Sequence, residues 1–160
     1  MAIKVGDRLP DVKFRTMGPE GPKQVSTGDV FGGRTVVLFG VPGAFTPGCS
    51  RKHLPGYIEN FAALKKKGAD AVAVTAVNDA FVMDAWSKAS GGGDIEFLAD
   101  GSADFAKAVG LELDASGGGM GIRSKRYAMI VEDGVVKHLA IEEAPSSITV
   151  SGAESILQAL

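Results

Sequence analysis

Cysteine is almost absent from this sequence, which contains one such residue, Cys49. A single cysteine cannot form an internal disulfide bond, and its isolation is typical of proteins from a reducing compartment. Histidine is nearly as rare, and the two histidines and one cysteine are too widely spaced to predict a metal site. Any thiol chemistry of this chain therefore depends on Cys49 alone.

Long apolar runs and a strong net charge are also missing. No apolar run approaches the ~20 residues of a membrane-spanning helix, and the first residues lack a signal-peptide core, so we expect a cytoplasmic protein. A formal net charge of −2 argues against nucleic acid or an anionic membrane as the main partner. No glycine-rich run ends in Gly-Lys-Ser/Thr, and residues 117–121 lack the spacing of a dinucleotide fingerprint, which excludes two common nucleotide sites.

Strand and helix patterns alternate along the chain. Short β-branched runs predict buried strands at residues 35–41, 70–77 and 95–98, and helical periodicity follows each of them. Asn78 or Asp79 is expected to cap the second of these helices, and Pro55 to kink the first. The other expected elements are an edge strand at residues 9–15, a loop or weak hairpin at 17–27, a glycine-rich loop at 111–121, a hairpin at 126–141 turning at Asp133-Gly134, and a helix at 151–160.

This order of elements predicts an α/β fold. Alternating strands and helices imply parallel crossover connections, and the late hairpin adds antiparallel strands to the same sheet. At 160 residues the chain is long enough for one domain with its own core and too short for two. We expect a single domain over residues 1–160, with a mixed central β-sheet and helices on both faces.

Cys49 lies between a predicted strand and a predicted helix. Pro47 suits the first turn of a helix, and Thr46 before it is a plausible N-cap. Cys49 would then lie in the first helical turn, beyond the carboxyl end of the strand at residues 35–41, where free N–H groups and the helix dipole favour a thiolate. The alternative is a small, inert core residue. The glycine- and proline-rich surroundings do not look like a core segment, so we favour a reactive thiol.

Three other residues are candidates for the same site. The Thr46 hydroxyl could face the sulfur, or it could only cap the helix. Pro42 could shield the sulfur from water, or it could be a simple turn proline. Arg126 is a solvated side chain by composition alone. If the sheet places it beside the strand that precedes Cys49, its guanidinium would hold the thiolate and orient a substrate oxygen.

The histidines provide a further alternative. His53 could share a helical face with Cys49 and act as a base, as in a Cys-His hydrolase or transferase. The base of such enzymes usually comes from elsewhere in the fold, and His138 lies on a predicted strand. We therefore favour a supporting, structural role for His53, and no Cys-His-acid arrangement is visible.

These residues resemble a known family. Pro42-x-x-x-Thr46-x-x-Cys49 matches the active-site signature of the peroxiredoxins, and residues 41–50 followed by 53–57 resemble their type II (atypical, peroxiredoxin-5-like) group. The resemblance runs from residue 5 to residue 160 in the same order. Further matching segments are residues 77–86, 98–101, 110–114 and 121–127.

The resemblance implies a thioredoxin-like fold and a peroxidase that needs no metal, haem or other cofactor. Cys49 would be the peroxidatic nucleophile, whose thiolate attacks hydrogen peroxide or an alkyl hydroperoxide and becomes a sulfenic acid. Thr46 and Arg126 would hydrogen-bond the peroxide oxygens, and Pro42 would shield the site. A thioredoxin-fold redox sensor or chaperone-like binding protein is the alternative, although all four of these residues are present together.

The resemblance also implies partners. Some relatives carry a resolving cysteine at positions that fall near Val74 and Val150 here, so this chain would need an external thiol. Glutathione, with or without a glutaredoxin, is the expected reductant, and thioredoxin is the second choice. Members of the group often form homodimers through the active-site edge, which makes Phe45, Phe81 and Arg123 interface candidates.

Overall fold

The computed structural model describes residues 2–160, which form nine strands and six α-helices. The strands are β1 (Lys13–Gly18), β2 (Gly21–Ser26), β3 (Thr35–Gly40), β4 (Ala71–Ala76), β5 (Glu96–Ala99), β6 (Glu112–Asp114), β7 (Ile122–Ser124), β8 (Tyr127–Glu132) and β9 (Val135–Ile141). The helices are α1 (Thr27–Phe31), α2 (Leu54–Glu59), α3 (Phe61–Lys66), α4 (Ala80–Ser90), α5 (Asp104–Ala108) and α6 (Ala153–Ala159). In this part of the chain, no helix is long and apolar enough to cross a membrane.

Seven strands form one mixed sheet in the order β2-β1-β5-β4-β3-β8-β9. The central strands β3, β4 and β5 are parallel, because helical crossovers connect them, whereas β8 pairs antiparallel with β3. The β8–β9 hairpin turns at Asp133 and Gly134, whose φ angles of 47° and 80° fit a tight hairpin turn. The predicted mixed sheet and late hairpin are confirmed.

Helices cover both faces of the sheet, as predicted. Strand residues alternate between faces, so Val37 and Phe39 pack with residues of α2, α3, α4 and α6, whereas Val36 and Leu38 pack with residues of α1 and α5. Asp79 caps α4 by accepting a hydrogen bond from the Val82 N–H, as one of the two predicted cap residues.

Several predicted boundaries were wrong. β1 begins at Lys13 and lies between β2 and β5, because its hairpin partner β2 takes the edge of the sheet. For the segment 17–27, expected as a loop or weak hairpin, the hairpin is confirmed, and the segment leads into α1, whose cap is Ser26. The glycine-rich loop expected at 111–121 contains β6, which pairs with β7 in a separate two-stranded sheet. A three-residue, partly exposed strand gives too short a pattern to be recognised.

Candidate active site

Cys49 lies at the start of a helical segment beyond the carboxyl end of β3, as predicted. Residues 47 and 48 are helical, and a π-helical turn over Cys49–His53 follows and continues into α2. In this turn the Leu54 N–H donates to the Cys49 carbonyl, five residues back. The thiol is fully buried, with 0% of the residue exposed. Its environment therefore combines the free N–H groups of a helix start with exclusion from bulk water.

Pro55 affects this helix differently from the predicted kink. Its missing N–H lies in the first turn of α2, where the wide turn before it has already shifted the hydrogen bonds from i−4 to i−5. The helix is interrupted later, at Asn60, before α3 begins. Instead of the predicted kink at Pro55, the structure has a π-helical turn before Pro55 and a helix break after it.

The sheet brings Arg126 to Cys49. Arg126 immediately precedes β8, and the first residue of β8, Tyr127, pairs with Gly40 at the end of β3. The Arg126 Nη2 atom donates a hydrogen bond to the Cys49 Sγ at 3.1 Å, and its Nε donates to the Pro145 carbonyl at 2.7 Å. Only 3% of Arg126 is exposed. The fold therefore places a buried guanidinium in direct contact with the sulfur of Cys49.

His53 contacts Arg126 rather than supplying a base to Cys49. Its Nδ1 lies 2.8 Å from the Arg126 Nη1, and its Nε2 lies 2.9 Å from the Ser151 carbonyl. Burial lowers the pKa of His53 to about 4; the bond to Ser151 opposes this shift, and the charge of Arg126 adds to it. Neutral His53 therefore accepts a hydrogen bond from Arg126 at Nδ1 and donates one to Ser151 from Nε2. His138 lies in β9, opposite Ile130.

Thr46 and Pro42 lie in the turn that precedes Cys49. The Thr46 carbonyl accepts the Ser50 N–H at 2.9 Å, whereas its hydroxyl donates to the Gly43 carbonyl at 2.7 Å instead of capping the helix. Among the described residues, no hydrogen bond joins the Thr46 hydroxyl to the sulfur. Pro42 is buried, and the neighbouring Ala44 N–H is held by the Asn78 Oδ1 at 2.9 Å. The structure thus places Pro42, Thr46, Cys49 and Arg126 at one end of β3.

Several supporting contacts were missed by the sequence reasoning. The Tyr57 hydroxyl donates to the Ser151 carbonyl at 2.7 Å, and its ring stacks on Phe39 with centroids 4.0 Å apart. The Trp86 Nε1 donates to the Ser50 hydroxyl at 3.0 Å, which ties α4 to the π-helical turn. A buried carboxylate, Glu142, holds the segment that carries Ser151. No local pattern marks these residues, because each partner is distant in sequence.

Two large aromatic side chains are exposed near this turn. Phe45, in a left-handed conformation with φ of 64°, is 53% exposed, and Phe81 on α4 is 66% exposed. The third interface candidate, Arg123, is half-buried and donates to the carbonyls of Met120 and Val77 at 2.9 and 3.4 Å. Across residues 2–160, no group of three or more His, Cys, Asp or Glu side chains is placed to hold a metal ion.

Comparisons with known proteins give a consistent result. A family model described as Redoxin matches residues 4–157. A chloroplastic peroxiredoxin-2E-2 of Oryza sativa subsp. japonica is 49% identical over 164 residues, covering 99% of this chain and 72% of the relative. Prx3 of Vibrio vulnificus, crystallised reduced and in complex with hydrogen peroxide, is 51% identical, covers 98% of both chains and superposes with a TM-score of 0.94. Peroxiredoxin 5 of Alvinella pompejana is 38% identical, covers 98% of this chain and 96% of its own, and gives a TM-score of 0.86.

Proposed function

The chain belongs to the Redoxin family and is a type II, peroxiredoxin-5-like thiol-dependent peroxidase, and from this premise we propose its site residues, its reductant and its assembly. Its fold is the thioredoxin-like fold of the peroxiredoxins, which need no prosthetic cofactor. One observation carries the assignment of the site: the Arg126 Nη2 lies 3.1 Å from the Sγ of the chain's single cysteine. Cys49 is accordingly the nucleophile, and Arg126 is the residue that stabilises its thiolate.

In the first half-reaction, the Cys49 thiolate attacks one oxygen of hydrogen peroxide or an alkyl hydroperoxide. An S–O bond forms, the O–O bond breaks, and the departing hydroxide or alkoxide takes a proton and leaves as water or alcohol. Arg126 donates hydrogen bonds to the oxygens as negative charge develops on them. Because the Thr46 hydroxyl already donates to Gly43, its oxygen is free to accept the O–H of the peroxide. Pro42 shields the Cys49 sulfur from bulk water. Hydrogen peroxide itself is the ligand in the structure of the Vibrio relative.

In the second half-reaction, an external thiol reduces the Cys49 sulfenic acid. The thiolate of the reductant attacks the sulfur and displaces water, and a second thiol then cleaves the mixed disulfide and restores Cys49. Glutathione, with or without a glutaredoxin, is the proposed reductant, and thioredoxin is the alternative. Two features support glutathione. The buried sulfur favours a small reductant, and Arg51 and Lys52 in the π-helical turn are exposed cations that suit its carboxylates.

The test is peroxide consumption by the purified protein with glutathione alone, with glutaredoxin plus glutathione, and with thioredoxin plus its reductase. We expect turnover in the glutathione-based assays and none in any assay with Cys49→Ser. Turnover only in the assay with thioredoxin and its reductase would overturn the proposed reductant but not the peroxidase function. Consumption by Cys49→Ser at the wild-type rate would overturn the assigned site.

The proposed assembly is a homodimer through the edge that carries Phe45 and Phe81. Both rings are more than half exposed, and the Ala44–Asn78 hydrogen bond places their two segments side by side. Exposed apolar patches of this kind commonly mark protein–protein interfaces. Sedimentation velocity tests this proposal: the wild type should be dimeric and Phe81→Asp monomeric. The control is Val5→Asp, which changes another exposed apolar residue and should remain dimeric. A monomeric wild type would contradict the proposal.

The remaining parts of the proposal concern organisation and location. We place the activity in one domain over residues 1–160 and the protein in the cytoplasm, where a lone thiol and an external thiol reductant remain reduced. Cell fractionation tests the location, and recovery in an organelle fraction would contradict it. The alternative of a redox sensor or chaperone-like binding protein is not favoured, because the similar proteins are peroxiredoxins.

A further inference from the structure

An irregular segment between β9 and α6 encloses Arg126. This segment, residues 142–151, is called the strap. At its start the Glu142 N–H donates to the Arg126 carbonyl at 3.0 Å, and in its middle the Pro145 carbonyl accepts from the Arg126 Nε at 2.7 Å. At its end the Ser151 carbonyl lies 2.9 Å from the Nε2 of His53, whose other ring nitrogen contacts Arg126. The strap therefore contacts Arg126 directly at two places and reaches it through His53 at a third.

The Glu142 carboxylate closes the strap into a ring. Its Oε2 accepts the N–H groups of Thr149, Val150 and Ser151 at 2.9, 2.9 and 2.8 Å and the Ser151 hydroxyl at 2.6 Å, and its Oε1 accepts the Thr149 hydroxyl at 2.9 Å. Glu142 is only 7% exposed. Burial raises its pKa, but the hydrogen bonds from Ser151, Val150 and Thr149 outweigh burial and lower the pKa to about 2. The group is an ionised, fully hydrogen-bonded carboxylate.

This carboxylate fixes the position of the Ser151 carbonyl. Both the N–H and the hydroxyl of Ser151 are bound to Glu142, so the following carbonyl is held toward the helix that contains His53. That carbonyl accepts the Tyr57 hydroxyl at 2.7 Å and the His53 Nε2 at 2.9 Å. A carbonyl can only accept, so the His53 proton must lie on Nε2, which leaves Nδ1 as an acceptor.

We propose that Glu142 is a positioning residue for the peroxidase site, acting through the tautomer of His53. By fixing the Ser151 carbonyl, Glu142 selects the Nε2–H form of His53. The free Nδ1 then accepts the Arg126 Nη1 at 2.8 Å, which turns the Nη2 of the same guanidinium toward the Cys49 sulfur at 3.1 Å. The inference rests on the proposed roles of Arg126 and Cys49, and it gives a reason for a buried acid whose carboxylate contacts neither side chain.

The opposite tautomer shows why the chain of contacts matters. With the proton on Nδ1, His53 would present an N–H to a guanidinium that can only donate, and the 2.8 Å contact would be lost. Arg126 would then keep only its Pro145 contact as a fixed anchor, and its Nη2 would no longer be aimed at the sulfur. At metal sites, partners that orient the ligands commonly change activity by about 10- to 100-fold when they are removed, and we expect an effect at the lower end of that range here.

The test compares Glu142→Ala, which removes all the acceptors, with Glu142→Gln, whose amide oxygen can replace Oε2. The matched control is Glu143→Ala, the exposed neighbouring acid. Nitrogen-15 NMR of His53 reports the tautomer without peroxide, stopped-flow mixing with hydrogen peroxide reports the single-turnover rate, and thermal unfolding reports the fold. We expect a mixture of tautomers and an about tenfold slower reaction for Glu142→Ala, rescue to within about threefold by Glu142→Gln, and no change for Glu143→Ala.

A folded Glu142→Ala protein with the wild-type His53 signals and a rate within about twofold of wild type would overturn the inference. If Glu142→Ala does not fold, Glu142→Asp replaces it, because the shorter side chain keeps the charge but withdraws it from the strap. Glu142→Asp should shift the tautomer and slow the reaction by about threefold, and unchanged values would again overturn the inference. Failure of the proposed function is separate: it would appear as a wild-type protein that consumes no peroxide, whatever the tautomer of His53.

Discussion

Acidification should destabilise this protein because of His53. The side chain is buried against Phe39, with ring centroids 4.9 Å apart, and it contacts the positive Arg126. Burial, and then the nearby positive charge, lowers its pKa from 6.5 to about 4, although the bond to the Ser151 carbonyl opposes the shift. The unfolded chain therefore takes up a proton at a higher pH than the native protein, and the native state loses stability as the pH falls from about 6.5 toward 4.

The size of the effect follows from the two pKa values. A native pKa of about 4 against 6.5 in the unfolded chain predicts a loss of about 2 kcal/mol between about pH 7 and about pH 5, and about 3 kcal/mol in the limit. Glu142 does not contribute in this window. Its pKa is lowered from 4.5 to about 2, so its contribution is lost only as the pH falls through that lower range. Burial raises the pKa of Asp100, which acts with the opposite sign and is common to all variants.

The assay is urea unfolding followed by fluorescence of the single, buried tryptophan, Trp86, at about pH 7 and about pH 5. His53→Gln removes the titrating group while retaining a donor and an acceptor for Ser151 and Arg126. We expect this variant to lose most of the pH dependence and His138→Gln, the matched control, to keep it. A wild-type change below about 0.5 kcal/mol, or an unchanged slope in His53→Gln, would refute the reasoning.

Three further predictions concern Arg126 and two glycines. Arg126→Ala should slow the single-turnover reaction with hydrogen peroxide by about 100-fold or more. Arg126→Lys should have an intermediate rate, because it keeps the positive charge but not the paired N–H donors of the guanidinium. A rate for Arg126→Ala within about threefold of the wild-type rate would contradict this. Gly40→Ala should cost about 3 kcal/mol in urea unfolding, because its Cβ would overlap the Tyr127 ring, and a loss below about 1 kcal/mol contradicts this. Gly56→Ala, in α2 with open space around the new Cβ, should instead gain about 0.5 kcal/mol, and a loss of stability contradicts that expectation.

The sequence was most informative where a pattern is local. The buried runs that became β3 and β4, the Asp133-Gly134 turn and the Asp79 cap all follow from short-range chemistry. The turn before Cys49 was recognisable for the same reason, since prolines and glycines there require a turn followed by a helix start. The contact of Arg126 with Cys49 could be predicted only if the sheet placed Arg126 beside the strand that precedes Cys49. The pairing of β8 with β3 does so.

The contacts that hold Arg126 were not predictable. Glu142 follows a strand, and nothing in its local sequence distinguishes it from a solvated acid. Its carboxylate can be buried only because Thr149 and Ser151 return to it and donate hydrogen bonds. His53 was assigned a supporting role, but its two partners, the Ser151 carbonyl and the Arg126 Nη1, could not be named, because both lie in segments far away in sequence. The π-helical turn was missed because Pro55 predicts a disturbed helix without specifying how the hydrogen bonds are rearranged.

The most direct test of the account is a single turnover with one equivalent of hydrogen peroxide, followed by intact mass and peptide mapping. The account predicts that the wild type consumes the peroxide and gains one oxygen on Cys49, that glutathione converts this species to a mixed disulfide and then to the free thiol, and that Cys49→Ser does neither. Peroxide left unconsumed by the wild type, or an oxygen found on a methionine with Cys49 unmodified, would contradict it.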